Sequence, residues 1–183
     1  ELWRTSFQDI PSIPMKKLSD EIFSAFSSRE RPSAVLNDSM VGAESEDYDD
    51  AAFFTGKTNR EIRSEDLENH PDCVFGFSPQ AFLYYLPSIF SCAVEDDRPD
   101  LLVIHSLVSM LDRSNRPSTW DNFFSSRWPC LNNMECEATL KWLVWLSRFS
   151  NLSIENNSLT RAFDTITLIQ EQALAYPIAK HQV

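Results

Sequence analysis

Five carboxylates fall within seven positions of the sequence and lead directly into an apolar, aromatic stretch. The segment ESEDYDDAAFFTGK, residues 44–57, carries Glu44, Glu46, Asp47, Asp49 and Asp50 around Tyr48. Carboxylates at this density can coordinate a divalent cation, act as a pair in hydrolysis, form a solvated loop, or contact a basic protein.

The spacing of these acids does not fit a calcium loop or a hydrolytic pair. An EF-hand loop needs oxygen ligands at alternate positions, Gly at the sixth and Glu at the twelfth. A loop that starts at Asp47 has Ala52 at the glycine position and Thr58 at the twelfth. Hydrolytic carboxylates lie ~5 to 10 Å apart across a cleft, which a consecutive surface run does not supply. The run therefore predicts a solvated or protein-contacting surface.

No other motif of the sequence predicts catalysis. With three glycines, the chain has no phosphate-cradling loop and no nucleophile elbow. His70, His105 and His181 are isolated, and only His70 lies beside further acids, at positions 65–68. A metal-dependent hydrolase built around His70 is kept as an alternative. The prediction is a non-enzymatic protein without a cofactor or metal.

Charge narrows the class of partner. The 183 residues include 16 basic and 27 acidic side chains, a formal net charge of −11. This balance disfavours nucleic acid and anionic membranes, which attract clusters of Lys and Arg. It favours encounter with a basic protein, although an acidic surface that only maintains solubility is an equal alternative.

Apolar runs and cysteines bear on the compartment. No stretch approaches the ~18 consecutive apolar residues that a membrane span needs. The first residues lack a signal-peptide pattern. Removal of a leader remains an open alternative, because the sequence does not begin with Met. The four cysteines show no C-x-x-C spacing, which predicts reduced thiols in a cytoplasmic protein.

Glycine content and apolar periodicity predict a mainly α, irregular multi-helix single domain. Tight β-hairpins usually need Asn-Gly or Asp-Gly turns, and neither dipeptide occurs. A minor short strand pair is allowed at CVFGF, residues 73–77. The same domain has an N-terminal arm at 1–14, a loop at 30–46 and a frayed tail at 175–183.

Helix signals divide the chain further. Helices are predicted near 15–28, 47–54, 78–86, 101–111, 118–128, 134–149 and 158–174, with another beginning at a Thr58–Glu61 capping box. Ser78 and Pro79 form a cap and first helical position, whereas Pro87 is expected to end or kink that helix. The stretch 101–111 is apolar on nearly every side, which predicts the central buried helix.

One segment resembles a known family. FSPQAFLYYLP, residues 77–87, is similar to a signature of small bacterial domains of unknown function, in which it opens a helix after a short apolar stretch. The upstream EDYDDAAFFTGKTNREI also resembles that family: Phe54, Gly56 and Lys57 match, whereas Asn59 stands where Trp is expected. The resemblance covers about residues 44–112.

The resemblance implies a role as an immunity protein. Proteins of this kind are similar to the cognate inhibitors of secreted antibacterial toxins, including those delivered by contact-dependent systems such as type VI secretion. Such an inhibitor binds a basic toxin and needs no chemistry of its own. The composition agrees with that role.

These inferences converge on a protein-binding surface. The predicted contacts with a basic toxin are Glu44, Glu46, Asp47, Tyr48, Asp49 and Asp50, a second acidic edge at Glu95, Asp96 and Asp97, and Trp120 as an aromatic anchor. The leading hypothesis is occlusion of the toxin's active site by these acids. A non-enzymatic adaptor or chaperone for a secreted partner is the alternative, marked by an exposed apolar groove.

Overall fold

The computed structural model describes residues 14–37, 46–149 and 156–175. Over these ranges the chain is helical and forms no sheet, which confirms the mainly α prediction. Its helices are α1 (Met15–Ala25), α2 (Glu46–Ala52), α3 (Ser64–Asn69), α4 (Cys73–Gly76), α5 (Pro79–Glu95), α6 (Leu102–Leu111), α7 (Asn122–Ser125), α8 (Asn133–Leu146) and α9 (Asn156–Ala175). Most of the predicted arm and tail, and part of the predicted loop, lie outside the described residues.

Helix α5 is the centre of the core. Every residue from Ala81 to Ser91 is buried, so the helix contacts neighbours on all sides. Its start follows the sequence prediction: Pro79 is the first residue, and the Ser78 hydroxyl accepts a hydrogen bond from the Ala81 N–H at 3.2 Å. The cap satisfies one of the backbone donors that a helix start leaves free.

The same helix continues through Pro87 to Glu95. Of the two predicted effects of this proline, an end or a kink, the end is wrong. A proline inside a helix costs ~3 kcal/mol, and this one is itself buried. Side chains on either side of Pro87 also donate hydrogen bonds to backbone carbonyls of the chain segment 57–59. Tyr85 donates to the carbonyl of Lys57 at 2.8 Å, and Ser88 donates to the carbonyl of Asn59. Burial and tertiary hydrogen bonds offset the local penalty.

Helix α6 is less central than its sequence predicts. Leu102 is 64% exposed and Ser109 is exposed, while His105 is half-buried. One side of α6 therefore faces solvent, and the prediction that it is buried all round is wrong. The helix that has this property is α5.

Helices α1, α6 and α8 pack against α5, and α9 lies outside α6 and α8. Helix α1 packs against α5 and α8, and α9 packs against α6 and α8. The Trp142 ring of α8 stacks on Phe90 of α5, with ring centroids 4.1 Å apart. Such aromatic pairs add ~0.5 to 1.5 kcal/mol beyond the area that they bury.

Two short segments differ from their predicted structure. Most of the segment 73–77 forms α4 (Cys73–Gly76) and not a strand, and Phe77 makes an isolated antiparallel bridge to Leu36. The Glu61 carboxylate does accept from the Thr58 N–H, at 2.6 Å. Nevertheless the contact closes a turn, and the next helix begins at Ser64.

The predicted helix at 118–128 is also divided. A 3₁₀ turn spans Pro117–Thr119, and α7 begins after Asp121, whose carboxylate accepts from the Phe124 N–H at 2.8 Å. The four cysteines are free thiols. No helix of the described ranges is long and apolar enough to span a membrane.

Candidate functional site

Helix α2 carries the first acidic cluster and lies directly against α4. The contact depends on Gly76, because a Cβ atom there would lie 2.3 Å from the carbonyl oxygen of Asp47 and 2.7 Å from Cβ of Ala51. Ala51 and the following Phe54 are fully buried. The apolar end of the segment thus anchors α2, and its acidic residues lie near the helix N-terminus, where the macrodipole favours negative charge.

The acids of this cluster have different surroundings. Asp49 is exposed, whereas Asp47 and Tyr48 are half-buried. Glu44 and the side chain of Glu46 lie outside the described residues, although Glu46 is the first residue of α2. Among the acids of α2 whose side chains are described, Asp49 is therefore the most open to a partner.

Asp50 has a structural role. Its carboxylate accepts from the Asp72 N–H at 2.8 Å and lies 3.2 Å from Nδ1 of His70. The His70 ring stacks on Phe53, with centroids 4.0 Å apart. Asp50 thus ties α2 to the turn between α3 and α4, and part of its charge is used within the protein.

The second acidic cluster ends helix α5. Glu95 accepts from the Ser19 hydroxyl and Asp96 from the Ser64 hydroxyl, each at 2.5 Å. Asp97 has φ of 52°, in the left-handed region. These contacts fix the backbone of the cluster while all three residues remain exposed.

Helix α3 joins the two clusters. Its first residue, Ser64, binds Asp96, and His70, directly after its last residue, binds Asp50. A helix of six residues is ~9 Å long, so the two clusters lie at opposite ends of one short element. Helix α3 itself adds Glu65, Asp66 and Glu68. We call the combined surface the acidic face: Asp47, Asp49, Asp50, Glu65, Asp66, Glu68, Glu95, Asp96 and Asp97.

Few cations neutralise the acidic face. Arg98 binds Glu68 at 3.1 Å and Asp100 at 2.9 Å, and hydrogen bonds from this arginine lower the pKa of Asp100. Among the described residues, no Lys or Arg forms an ion pair with Asp47, Asp49 or any acid of the α5 cluster.

The acids of the α5 cluster also affect the pKa of a nearby cysteine thiol. Burial, together with the nearby carboxylates of Asp96 and Glu95, raises the pKa of the Cys92 thiol to about 12. The thiol donates to the Ile62 carbonyl at 3.4 Å. Cys92 is therefore a protonated packing residue beneath the face and not a nucleophile.

The described contacts of Trp120 are with residues outside the acidic clusters. Its Nε1–H donates to the Ser114 carbonyl at 2.9 Å, and its ring packs edge-on against Phe124. The side chain is half-buried. These contacts place Trp120 in the connection between α6 and α7, where it covers the core.

The geometry bears on the metal alternative as well. Within the described ranges, no three His, Cys, Asp or Glu side chains come close enough together to hold a metal ion. His70 has Asp50 and the Phe53 ring as its neighbours. The sequence analysis treated the acids at positions 65–68 only as neighbours of His70. It missed that these acids lie on α3, the helix that connects the two acidic clusters. The acid content of residues 61–72 is the signal that marks it.

Comparison with models of protein families, with curated proteins and with solved structures gives no match for this chain.

Proposed function

We propose that the chain is a non-enzymatic binding protein that neutralises a cognate basic toxin, in the manner of an immunity protein. The acidic face would cover the toxin's active site and occupy positive subsites that otherwise receive substrate phosphates. The observation that supports this proposal is the series of carboxylates from α2 across α3 to the end of α5, in which Asp47, Asp49 and the acids of the α5 cluster form no ion pair with a Lys or Arg among the described residues.

We expect surface charge to determine mainly the association rate, and a few buried groups to determine the affinity. An exposed ion pair adds only ~0 to 1 kcal/mol, whereas complementary surface charge raises the association rate strongly at low salt. Affinity should depend on a few groups that lose their water on binding. Tyr48, half-buried among the acids of α2, is the best placed aromatic group for this role.

The proposal also includes a compartment. A cytoplasmic inhibitor protects the cell that makes the toxin, and its thiols remain reduced there. The free cysteines Cys73, Cys92, Cys130 and Cys136 agree with such a compartment.

Affinity capture followed by an activity assay tests the proposal. The tagged chain is used to capture partners from lysate of the source cells, with an Asp49→Lys/Glu65→Lys variant as control. We expect a basic protein that the wild type retains and the variant loses. The activity of the purified partner should fall to background at one equivalent of the chain.

Salt and activity distinguish the alternatives. The association rate should fall steeply as ionic strength rises from low to physiological values, because screening shortens the reach of surface charge. A partner that associates at a salt-independent rate would contradict the acidic-face mechanism. A partner that stays fully active in the complex would support an adaptor or chaperone instead.

A further inference from the structure

The segment after α1 has one open edge. Around the Leu36–Phe77 bridge, Ser78 N–H donates to the Val35 carbonyl at 2.7 Å, and Asn37 N–H donates to the Gly76 carbonyl at 3.0 Å. In this antiparallel pattern the N–H and C=O of Leu36 point away from the Phe77 strand. Neither group has a hydrogen-bond partner among the described residues.

A groove of about 470 Å³ borders this segment. Its walls are Arg31, Pro32, Ser33, Ala34, Val35, Leu36, Thr55 and Gly56. The residues on the bridged side, 76–78, are not part of the lining, so the groove lies along this segment on a side other than the bridged one. Most of the lining from Pro32 to Leu36 is apolar, and the far wall is the turn after α2.

The two ends of the groove differ in charge. Arg31 donates to the Gly56 carbonyl and forms no ion pair among the described residues. The ammonium of Lys57 lies 4.2 Å from the centre of the Phe53 ring, also without an ion pair. The Asn37 end instead meets Gly76, against which the acidic helix α2 packs.

One carboxylate lies close to the positive end. Glu61 accepts hydrogen bonds from the N–H and hydroxyl of Thr58. These bonds lower the pKa of Glu61, and the charges of Arg31 and Lys57 lower it further. The two cations therefore act together on this region, and Glu61 is already engaged by Thr58.

We propose that this groove binds the C-terminal segment of a partner protein as an added β-strand. The segment would pair in the antiparallel sense with the N–H and C=O of Leu36, and its terminal carboxylate would lie against Arg31, near Lys57. Strand addition uses main-chain hydrogen bonds for affinity and pockets or charges for selectivity. An apolar wall with cations at one end matches an apolar peptide with a free carboxyl terminus.

The surface involved is separate from the proposed toxin-binding face, and the inference does not depend on that function. Backbone NMR of the ¹⁵N-labelled full chain tests it with a matched pair of peptides. The probes are acetyl-Val-Thr-Val-Val with a free carboxyl terminus and the same peptide with a terminal amide. We expect saturable shifts at Leu36 and Gly56, with the Leu36 amide proton moving downfield, and about tenfold weaker binding of the amide.

Two variants examine the residues involved. Arg31→Glu should weaken binding of the free-acid peptide at least about fivefold, whereas Lys16→Glu, an equal charge change on α1, should not. Ser33→Trp places a bulky ring in the groove from an exposed position and should abolish binding with an unchanged far-UV CD spectrum.

Four results would overturn the proposal. One is the absence of shifts at Leu36 at millimolar peptide, and another is equal affinity for the acid and the amide. Sodium acetate that alone reproduces the shifts would reduce the groove to a small-anion site. Line widths that grow with protein concentration, together with shifts at Leu36 in the absence of peptide, would instead assign the groove to a second copy of the chain.

Discussion

A buried ion pair fastens the start of α8 to the segment after α1. Glu135 is fully buried, and both of its oxygens accept from the Arg29 guanidinium at 2.6 Å. The same carboxylate accepts from the Asn132 N–H at 2.8 Å and so completes the capping box of α8. Removing one partner of such a pair leaves an uncompensated charge in the interior.

Arg29→Met should therefore lower the free energy of unfolding by about 2 to 4 kcal/mol, somewhat less than for a fully buried pair because the Arg29 side chain is 25% exposed. Arg29→Met/Glu135→Gln keeps an oxygen for the cap and removes the stranded charge. Urea unfolding should show that the double variant is more stable than the sum of the two single changes predicts. Additive losses would mean that the pair is not coupled.

Asp97 occupies a backbone position that usually belongs to glycine. It follows the C-cap of α5 with φ of 52°, and the next residue, Arg98, donates its N–H to the Ala93 carbonyl at 2.8 Å. This 6→1 bond is the Schellman arrangement, which favours a residue without Cβ strain. An acid at this position costs stability and adds charge to the acidic face.

Asp97→Gly should accordingly raise the free energy of unfolding by up to ~1 kcal/mol, since glycine adopts the left-handed region without a steric penalty. Asp97→Asn is the control, because asparagine tolerates the same backbone and lacks the charge. Urea unfolding at pH 7 compares the three proteins. If Asp97 contributes through charge, both variants should slow association with the basic partner equally; a slower rate in only one of them would contradict this.

Arg127 illustrates a residue whose environment the sequence does not reveal. It lies in the polar-looking segment SSRW, yet it is 1% exposed. Its guanidinium donates to the carbonyls of Phe77 and Phe123 and lies 3.7 Å from the centre of the Phe123 ring. Burial lowers the pKa of this group. One of its partners, the Phe77 carbonyl, lies 50 positions away in the sequence, so no local pattern of charge predicts its burial.

At the scale of elements, local signals mark where a helix can start, and tertiary packing decides whether it forms and where it ends. Ser78–Pro79 begins α5 as predicted because the cap and the proline act within one turn. Pro87 does not end the helix, since the surrounding core compensates for it. The Thr58–Glu61 contact forms as predicted without the helix. A capping box predicts that a turn forms. Whether a helix continues from that turn depends on the residues that follow and on their packing.

An acid at the end of α6 holds the first turns of α9. Asp112 accepts from the Ser158 hydroxyl at 2.8 Å and from the Arg161 guanidinium at 2.7 Å. The hydrogen bond with Arg161 lowers the pKa of Asp112 below its ordinary value of 3.8, with Ser158 and the charge of Arg113 as further causes. A carboxyl group whose pKa is lowered by folding stabilises the protein above that ordinary value and loses this contribution as pH falls through the folded value.

Asp112→Asn should lower the free energy of unfolding by about 1 kcal/mol at pH 7, since the pair is partly exposed. The difference between this variant and the wild type should shrink below about pH 4. Urea unfolding at pH 7 and near pH 2.5 measures both values. Asp164→Asn, an exposed acid of α9, serves as the control; an equal pH-dependent change in that variant would contradict the assignment to Asp112.

At the scale of the whole molecule, the sequence predicted two acidic clusters and not the surface that they form. Residues 46–50 and 95–97 are 45 or more positions apart in the chain, and their proximity depends on how α3 packs between them. Composition predicted a net charge of −11, but not which acids are used internally. Asp50 is engaged by His70 and Asp72, whereas Asp49 faces solvent.

The location of charge on the molecule should matter more than its total. In Asp49→Lys/Glu65→Lys, each replacement removes a negative charge and adds a positive one, so the net charge changes from −11 to −7. Asp164→Lys/Glu171→Lys changes exposed residues of α9 and gives the same total. Stopped-flow association with the captured basic partner at low salt should be about tenfold slower for the first variant and nearly unchanged for the second. Equal slowing of the two would show that the protein attracts its partner by net charge and not through the acidic face.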